Sequence, residues 1–179
     1  MTAAVFVDTN VFAYLHDTTE PEKQAIAETW VTRLWQEHTG RTSVQVLNEL
    51  YVTLTRKISR KLPPNDAWSN IQQLFAWNPQ ATDLQLISCA REIETRYRIN
   101  WWDSLIVAAS QLQDCTTLLT EDLQDGMDFD GVRVRNPFRS GVAEGLAGYS
   151  AKPRPAYRIN PRHRGRGRPK RQAVGGGRG

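Results

Sequence analysis

Asp8, Asp103 and Asp122, with Glu49 as a fourth, are the residues of this chain placed for chemistry. Asp8 follows the uncharged run Ala3-Ala-Val-Phe-Val7 at once, with Thr9 and Asn10 behind it and a second apolar stretch from Val11 to Leu15. A short apolar run of this kind reads as a strand buried on both faces, as in a parallel sheet. A carboxylate at its C-terminal end lies at the edge where open α/β sheets bind ligands. The plain alternative is a helix N-cap, since Asp and Asn are favoured there. Asp122 repeats the pattern, because Thr116 to Leu119 is a second short apolar run that ends in Thr120-Glu121-Asp122. Asp103 follows Asn100-Trp-Trp102 and opens the apolar helix Ser104 to Leu112. The partial positive charge of a helix start favours an ionised carboxylate, and a capping role is again the alternative. Glu49 stands among Leu47, Leu50 and Tyr51, at the margin of an amphipathic helix that can reach the same edge. A surface glutamate is the default for such a residue.

Carboxylates brought close together repel one another unless a cation intervenes. A cluster of hard oxygen donors suits Mg²⁺ or Mn²⁺. His16, His38 and His163 stand apart from one another, without the spacing of a zinc site. No glycine-rich phosphate loop follows Asp8, and the chain has no G-x-S-x-G. Cys89 and Cys115 are far apart with no metal-ligand spacing, and read as reduced thiols. A nucleophilic side chain is therefore not indicated, and a metal-activated water is the natural reagent.

The elements that must position these acids follow from the pattern of apolar residues. Pro21 opens a helix that runs to about His38 with Ile26, Trp30 and Leu34 on one side, and Gly40 punctuates its end. Val44, Leu47, Leu50, Tyr51, Leu54 and Ile58 recur at three and four, predicting one amphipathic helix. It ends in a basic, proline-closed loop carrying Arg56, Lys57, Arg60 and Lys61. That loop is expected to be solvated, with phosphate contact as its functional reading. Asn65 or Asp66 can cap a further helix that stops near Asn78. Thr82-Asp-Leu-Gln85 has the form of a capping box for the helix of Leu86, Ala90, Ile93 and Tyr97. Two aromatics ahead of a buried helix are expected to pack, so Trp102 is expected in the core; the other role open to Trp101 and Trp102 is stacking on bases. Gly131 to Val134 reads as a last strand, and no hairpin signal stands between the strands. Strands alternating with helices give an α/β class with a short, mainly parallel sheet.

Composition divides the chain in two. Of its 179 residues, 40% are hydrophobic, enough for a folded domain. Residues 1–138 carry 12 Lys and Arg against 18 Asp and Glu, a balance of −6. Residues 139–179 carry 11 against one, a balance of +10, and replace aliphatic residues with Gly, Arg and Pro. We read a domain over 1–138 and a basic tail over 139–179, disordered when alone because it cannot bury enough apolar area. Arg164, Arg166, Arg168, Lys170 and Arg171 form its densest part, and Arg166-Gly-Arg-Pro169 resembles an AT-hook core. General polyanion binding is the safer reading of such a segment. No apolar run is long enough to span a bilayer, and the N-terminus lacks a signal peptide's basic region, so a cytoplasmic protein is expected.

Four stretches together carry a family resemblance. Val5-Phe-Val-Asp8-Thr-Asn10, Ser43-Val-Gln-Val-Leu-Asn-Glu49-Leu, Trp102-Asp103-Ser-Leu-Ile and Leu118-Leu-Thr-Glu-Asp122 resemble the four motifs of PIN-domain ribonucleases, most closely the VapC-type toxins of bacterial toxin–antitoxin pairs. The segment from Gly126 to Phe138 is similar to the end of that domain. The resemblance covers residues 1 to about 138. It implies a Rossmann-like three-layer α/β/α fold, a Mg²⁺ or Mn²⁺ site and single-stranded or structured RNA as substrate. Asp8, Glu49, Asp103 and Asp122 match the family's acidic positions. Asn10, Ser43 and Thr120 match polar positions that orient ligands or water. Glu121 and Asp125 flank Asp122, which leaves open which acid of that loop faces the metal. A cognate antitoxin and a homodimer are the partners implied, and cleavage would leave 5′-phosphate and 3′-hydroxyl ends. Two other readings stand beside it. One is a PIN-like nucleic-acid-binding module without catalysis that relies on its basic tail. The other is a Mg²⁺-dependent phosphatase, for which Asn10 stands where a second Asp is wanted and no lysine lies near Asp122.

Overall fold

The computed structural model describes residues 3–139. The tail residues Arg164, Arg166, Arg168, Lys170 and Arg171, and the expectation of disorder for that segment, lie outside the described residues.

Five strands form one sheet in the order β2-β1-β3-β5-β4. They are β1 (Ala4–Val7), β2 (Gly40–Arg41), β3 (Cys115–Leu119), β4 (Asp128–Phe129) and β5 (Val132–Arg135). β1 lies parallel to β2 and to β3, and β3 lies parallel to β5, with β4 the one antiparallel member. Successive residues Phe6 and Val7 are fully buried, as are Leu118 and Leu119. Neighbours on a strand point to opposite faces, so both faces of the sheet are covered. The covering helices are α1 (Thr9–Tyr14), α2 (Pro21–Glu37), α3 (Val44–Val52), α4 (Pro64–Gln73), α5 (Leu84–Tyr97) and α6 (Trp101–Leu112). The α/β class and mainly parallel sheet read from the sequence are the observed ones.

Several local expectations are corrected. The stop of α2 belongs to His38, whose φ of 56° is left-handed, rather than to Gly40. Gly40 instead forms β2, where a Cβ would stand 2.6 Å from the Trp77 ring. That ring packs on Phe12 and Trp35, with centroids at 5.5 and 5.4 Å. The long amphipathic helix is α3 followed by a π-helical turn, Thr53–Lys57, so Arg56 and Lys57 end a helix rather than sit in a loop. α4 begins at Pro64 itself, a residue whose fixed φ suits a first turn, and not after an Asn65 or Asp66 cap. The cap of α5 is Asp83, not Thr82, because its carboxylate accepts from the Leu86 N–H at 2.8 Å. A hairpin was also hidden: Phe129 pairs with Val132 across Asp130 and Gly131, both with positive φ. Asp-Gly is the signature of such a turn, and strands this short leave no alternation to announce it.

Candidate functional site

β1 and β3 are neighbours, and Val7 pairs with Leu119. The next residues along each strand, Asp8 and Thr120, therefore leave the sheet side by side. The Asp8 N–H donates to the Leu119 carbonyl at 3.0 Å, extending the ladder by one bond. The Thr120 hydroxyl donates to Asp8 Oδ2 at 2.7 Å. Asp8 Oδ1 accepts from the Thr9 N–H at 2.6 Å as α1 begins. The capping and site readings of Asp8 are thus compatible, with one oxygen engaged at each.

Asn10, half a turn on, ties the two strand ends together. Its amide donates to Thr120 Oγ1 at 3.1 Å and to Asp122 Oδ2 at 3.0 Å, and approaches Asp8 Oδ2 at 3.5 Å. Glu49 arrives from α3 and is held at both oxygens, by the Thr9 hydroxyl at 3.0 Å and the Gln45 amide at 2.9 Å. Asp103, in the first turn of α6, is held by Asn100, the helix cap, whose amide reaches its carboxylate and whose Oδ1 accepts from its N–H at 2.9 Å. Ser43 is placed differently: it is buried and caps α3, accepting from the Val46 N–H at 3.3 Å.

The acids of the post-β3 loop differ in their partners. Glu121 is paired, bound by Lys23 Nζ at 2.7 Å and by the Tyr14 hydroxyl at 2.6 Å. Lys23 also lies over the Tyr14 ring, 4.4 Å from its centroid. Burial works against the Lys23 charge, but Glu121 and Tyr14 outweigh it and raise its pKa. Asp125 accepts from the Asn136 N–H at 2.8 Å. Asp122 alone of the three bonds to Asn10.

Two of the acids are held above their ordinary pKa. Asp8 is 7% exposed, and burial pushes its carboxyl up to about 7, with the charges of Asp122 and Glu49 adding to the rise and the Thr120 and Thr9 hydrogen bonds opposing it. Asp103 is also raised, first by burial and then by the same two carboxylates, against its bond from Asn100. Asp8 and Asp103, from separated parts of the chain, each feel Asp122 and Glu49 as like charges.

Glu49 and Asp122 line a cleft of about 820 Å³ together with Asn10, Gln45, Lys57, Trp102 and Glu121 among others, while Asp8 and Asp103 are not in its lining. Of the four basic residues Arg56, Lys57, Arg60 and Lys61, Lys57 is the one that lines it. Trp102 is 64% exposed, which corrects its expected place in the core. The inward position goes to Trp101, packed against the core, and one residue further turns about 100° round the helix. The sequence reading passed over Thr9, Gln45 and Asn100. Their signals were local: a hydroxyl beside Asp8, an i,i+4 partner for Glu49, and an N-cap three residues before Asp103.

The donor set fits a hard divalent cation. All four carboxylates are oxygen donors, and Asn10 Oδ1 is buried beside them with no hydrogen-bond partner. Among the described residues, no group of three or more His, Cys, Asp or Glu side chains is arranged to hold an ion by itself. Mg²⁺ is compatible with that, since it keeps several waters and uses one or two carboxylates.

The fold has known counterparts. One is a toxin–antitoxin complex from Klebsiella pneumoniae, 19% identical, with TM-score 0.54, covering 76% of this chain and 98% of that one. Another is VapBC2 from Rickettsia felis bound to a DNA fragment from its promoter, 16% identical, with TM-score 0.54, covering 74% of this chain and 98% of that one. No curated protein sequence matches. The model of the PIN domain family matches residues 5–126, well over half of the chain, and the chain belongs to that family.

Proposed function

We propose that this chain is a metal-dependent endoribonuclease, the toxin of a toxin–antitoxin pair. The observation that supports the reading is that Thr9, Asn10 and Thr120 tie Asp8, Glu49 and Asp122 together at the C-terminal ends of β1 and β3, with Asp103 feeling the charges of Asp122 and Glu49. Asp8, Asp103, Glu49 and Asp122 would hold Mg²⁺ or Mn²⁺, directly or through water. When bound, such an ion supplies a water acidic enough to attack near neutral pH and positive charge against the scissile phosphate. The chain's own part is to hold the acids still. Thr120 and Asn10 fix Asp8 and Asp122, Thr9 and Gln45 fix Glu49, and Asn100 fixes Asp103. Lys57 in the cleft and the nearby Arg56, Arg60 and Lys61 offer charge to phosphates. Among the described residues no histidine lines the cleft, and attack by a metal-activated water is expected to leave 5′-phosphate and 3′-hydroxyl ends.

The relatives of this fold crystallised as toxin–antitoxin complexes support an antitoxin as partner. A homodimer is the assembly expected, and light scattering on the purified chain tests it. The decisive experiment incubates purified protein with single-stranded RNA in Mn²⁺ or in chelator. Cleavage in Mn²⁺, its loss in chelator, and a drop of at least about 10²-fold in Asp8→Asn with the fold retained are expected. A 2′,3′-cyclic phosphate product refutes the route. RNA retention without cleavage under every metal condition would favour a binding module drawing on the +10 tail.

A further inference from the structure

The mechanism above leaves Trp102 without a task. It lies in the first turn of α6, next to Asp103, with its side chain largely open to solvent. A tryptophan can bury more apolar surface than almost any other side chain, so leaving it exposed forgoes substantial stabilisation. Its place is fixed rather than loose: the helix cap at Asn100 holds the turn, and Gln45 bonds Glu49 at 2.9 Å and approaches the Trp102 carbonyl at 3.4 Å. One side chain thus joins a proposed metal ligand to the backbone that carries the indole. The same cleft holds Lys57. At about 820 Å³ it is near the upper end of small-ligand pockets, about 300–1,000 Å³, and admits a nucleotide.

We propose that Trp102 is the stacking platform for one unpaired base next to the bond that is cut, and so the residue that makes the site select single-stranded over paired RNA. This rests on the ribonuclease reading and deepens it. A flat apolar face beside carboxylates and a lysine has the components of single-strand binding, where aromatics take bases and cations take phosphates. A base inside a duplex is stacked on both sides and offers no free face to an indole. Stacking is indifferent to base identity, so sequence preference must come from polar groups such as Gln45 and Asn48 in the same cleft.

The test compares the full-length wild type with Trp102→Ala and Trp102→Phe. Steady-state cleavage of a 12-nucleotide RNA in Mn²⁺ gives kcat and KM separately, and a paired version of the same strand is the competitor. Removal of the indole is expected to raise KM about tenfold or more while kcat changes little. Phenylalanine should restore most of the loss, and the melting temperature should be unchanged because the residue is exposed. A 2-aminopurine placed beside the cleavage site should be quenched on binding to the wild type and not to Trp102→Ala. An unchanged KM in Trp102→Ala, no rescue by phenylalanine, or equal cutting of paired and unpaired RNA by the wild type overturns the proposal while leaving the nuclease reading intact. A wild type that neither cuts nor binds RNA sinks the functional reading itself, and this inference with it.

Discussion

Asp8 divides its two oxygens between structure and site, one on the start of α1 and one on Thr120. Burying that carboxyl has a cost that pH reveals. Its carboxyl titrates at 3.8 when unperturbed and at about 7 in the fold. Between those values the folded chain keeps a proton that the unfolded chain has lost, so stability falls as pH rises. The shift corresponds to at most about 4 kcal/mol. In chelator we expect the melting temperature to fall from pH 5 to pH 8 and Asp8→Asn to flatten that slope. Added Mg²⁺ selects the ionised carboxylate, so its stabilisation should be larger at pH 8 than at pH 5; a metal effect independent of pH would remove Asp8 from the site. At this scale the sequence was informative about acids and silent about their holders. An aspartate after a strand is visible in one dimension. Glu121 is held by Lys23, 98 residues away, and no local pattern records such a partnership.

At the scale of elements, what could be read was whatever a periodic apolar face reveals. α2 and α5 announced themselves because each buries one side, and α6 because it is an apolar run buried all round from Ser104 to Ser110. β2 did not, because two residues carry no periodicity, and the glycine in it looked like a helix stop. Its real role is spatial: Gly40 lets β2 pass the Trp77 ring, which is 4% exposed and closed in by neighbours. Gly40→Ala is expected to destabilise by about 1–3 kcal/mol through overpacking, measured by urea denaturation. Restoration by a smaller residue at position 77 would identify the ring as the obstruction. Trp102 shows the converse failure. An aromatic pair before a buried helix does supply a core residue, but the helical repeat permits only one of the two to face inward.

For the whole molecule, the division of charge is the plainest feature. The described domain belongs to the acidic part of the sequence, while its proposed substrate is a polyanion. A chain ended after Arg139 retains every strand, helix and acid described above, so cleavage chemistry should persist in it. Its affinity for RNA should fall, and the dependence of that affinity on salt should flatten, because fewer counterions are released on binding. Fluorescence anisotropy at two salt concentrations checks both, and an unchanged salt slope would show that the tail takes no part. The fold class was legible because α/β order is written in alternating patterns; the topology β2-β1-β3-β5-β4 was not, since pairing between distant strands leaves no mark in either.

That strand order has a bearing on synthesis. β1 is made first, yet its partner β3 and the loop bearing Thr120 and Asp122 come more than a hundred residues later. A growing or prematurely ended polypeptide that stops short of Leu119 carries Asp8, Glu49 and Asp103 without the piece that locks them in register. On the proposed ribonuclease reading, cleavage therefore waits on translation past Asp122, and two complementary fragments divided before Cys115 should be inactive apart and active when reunited.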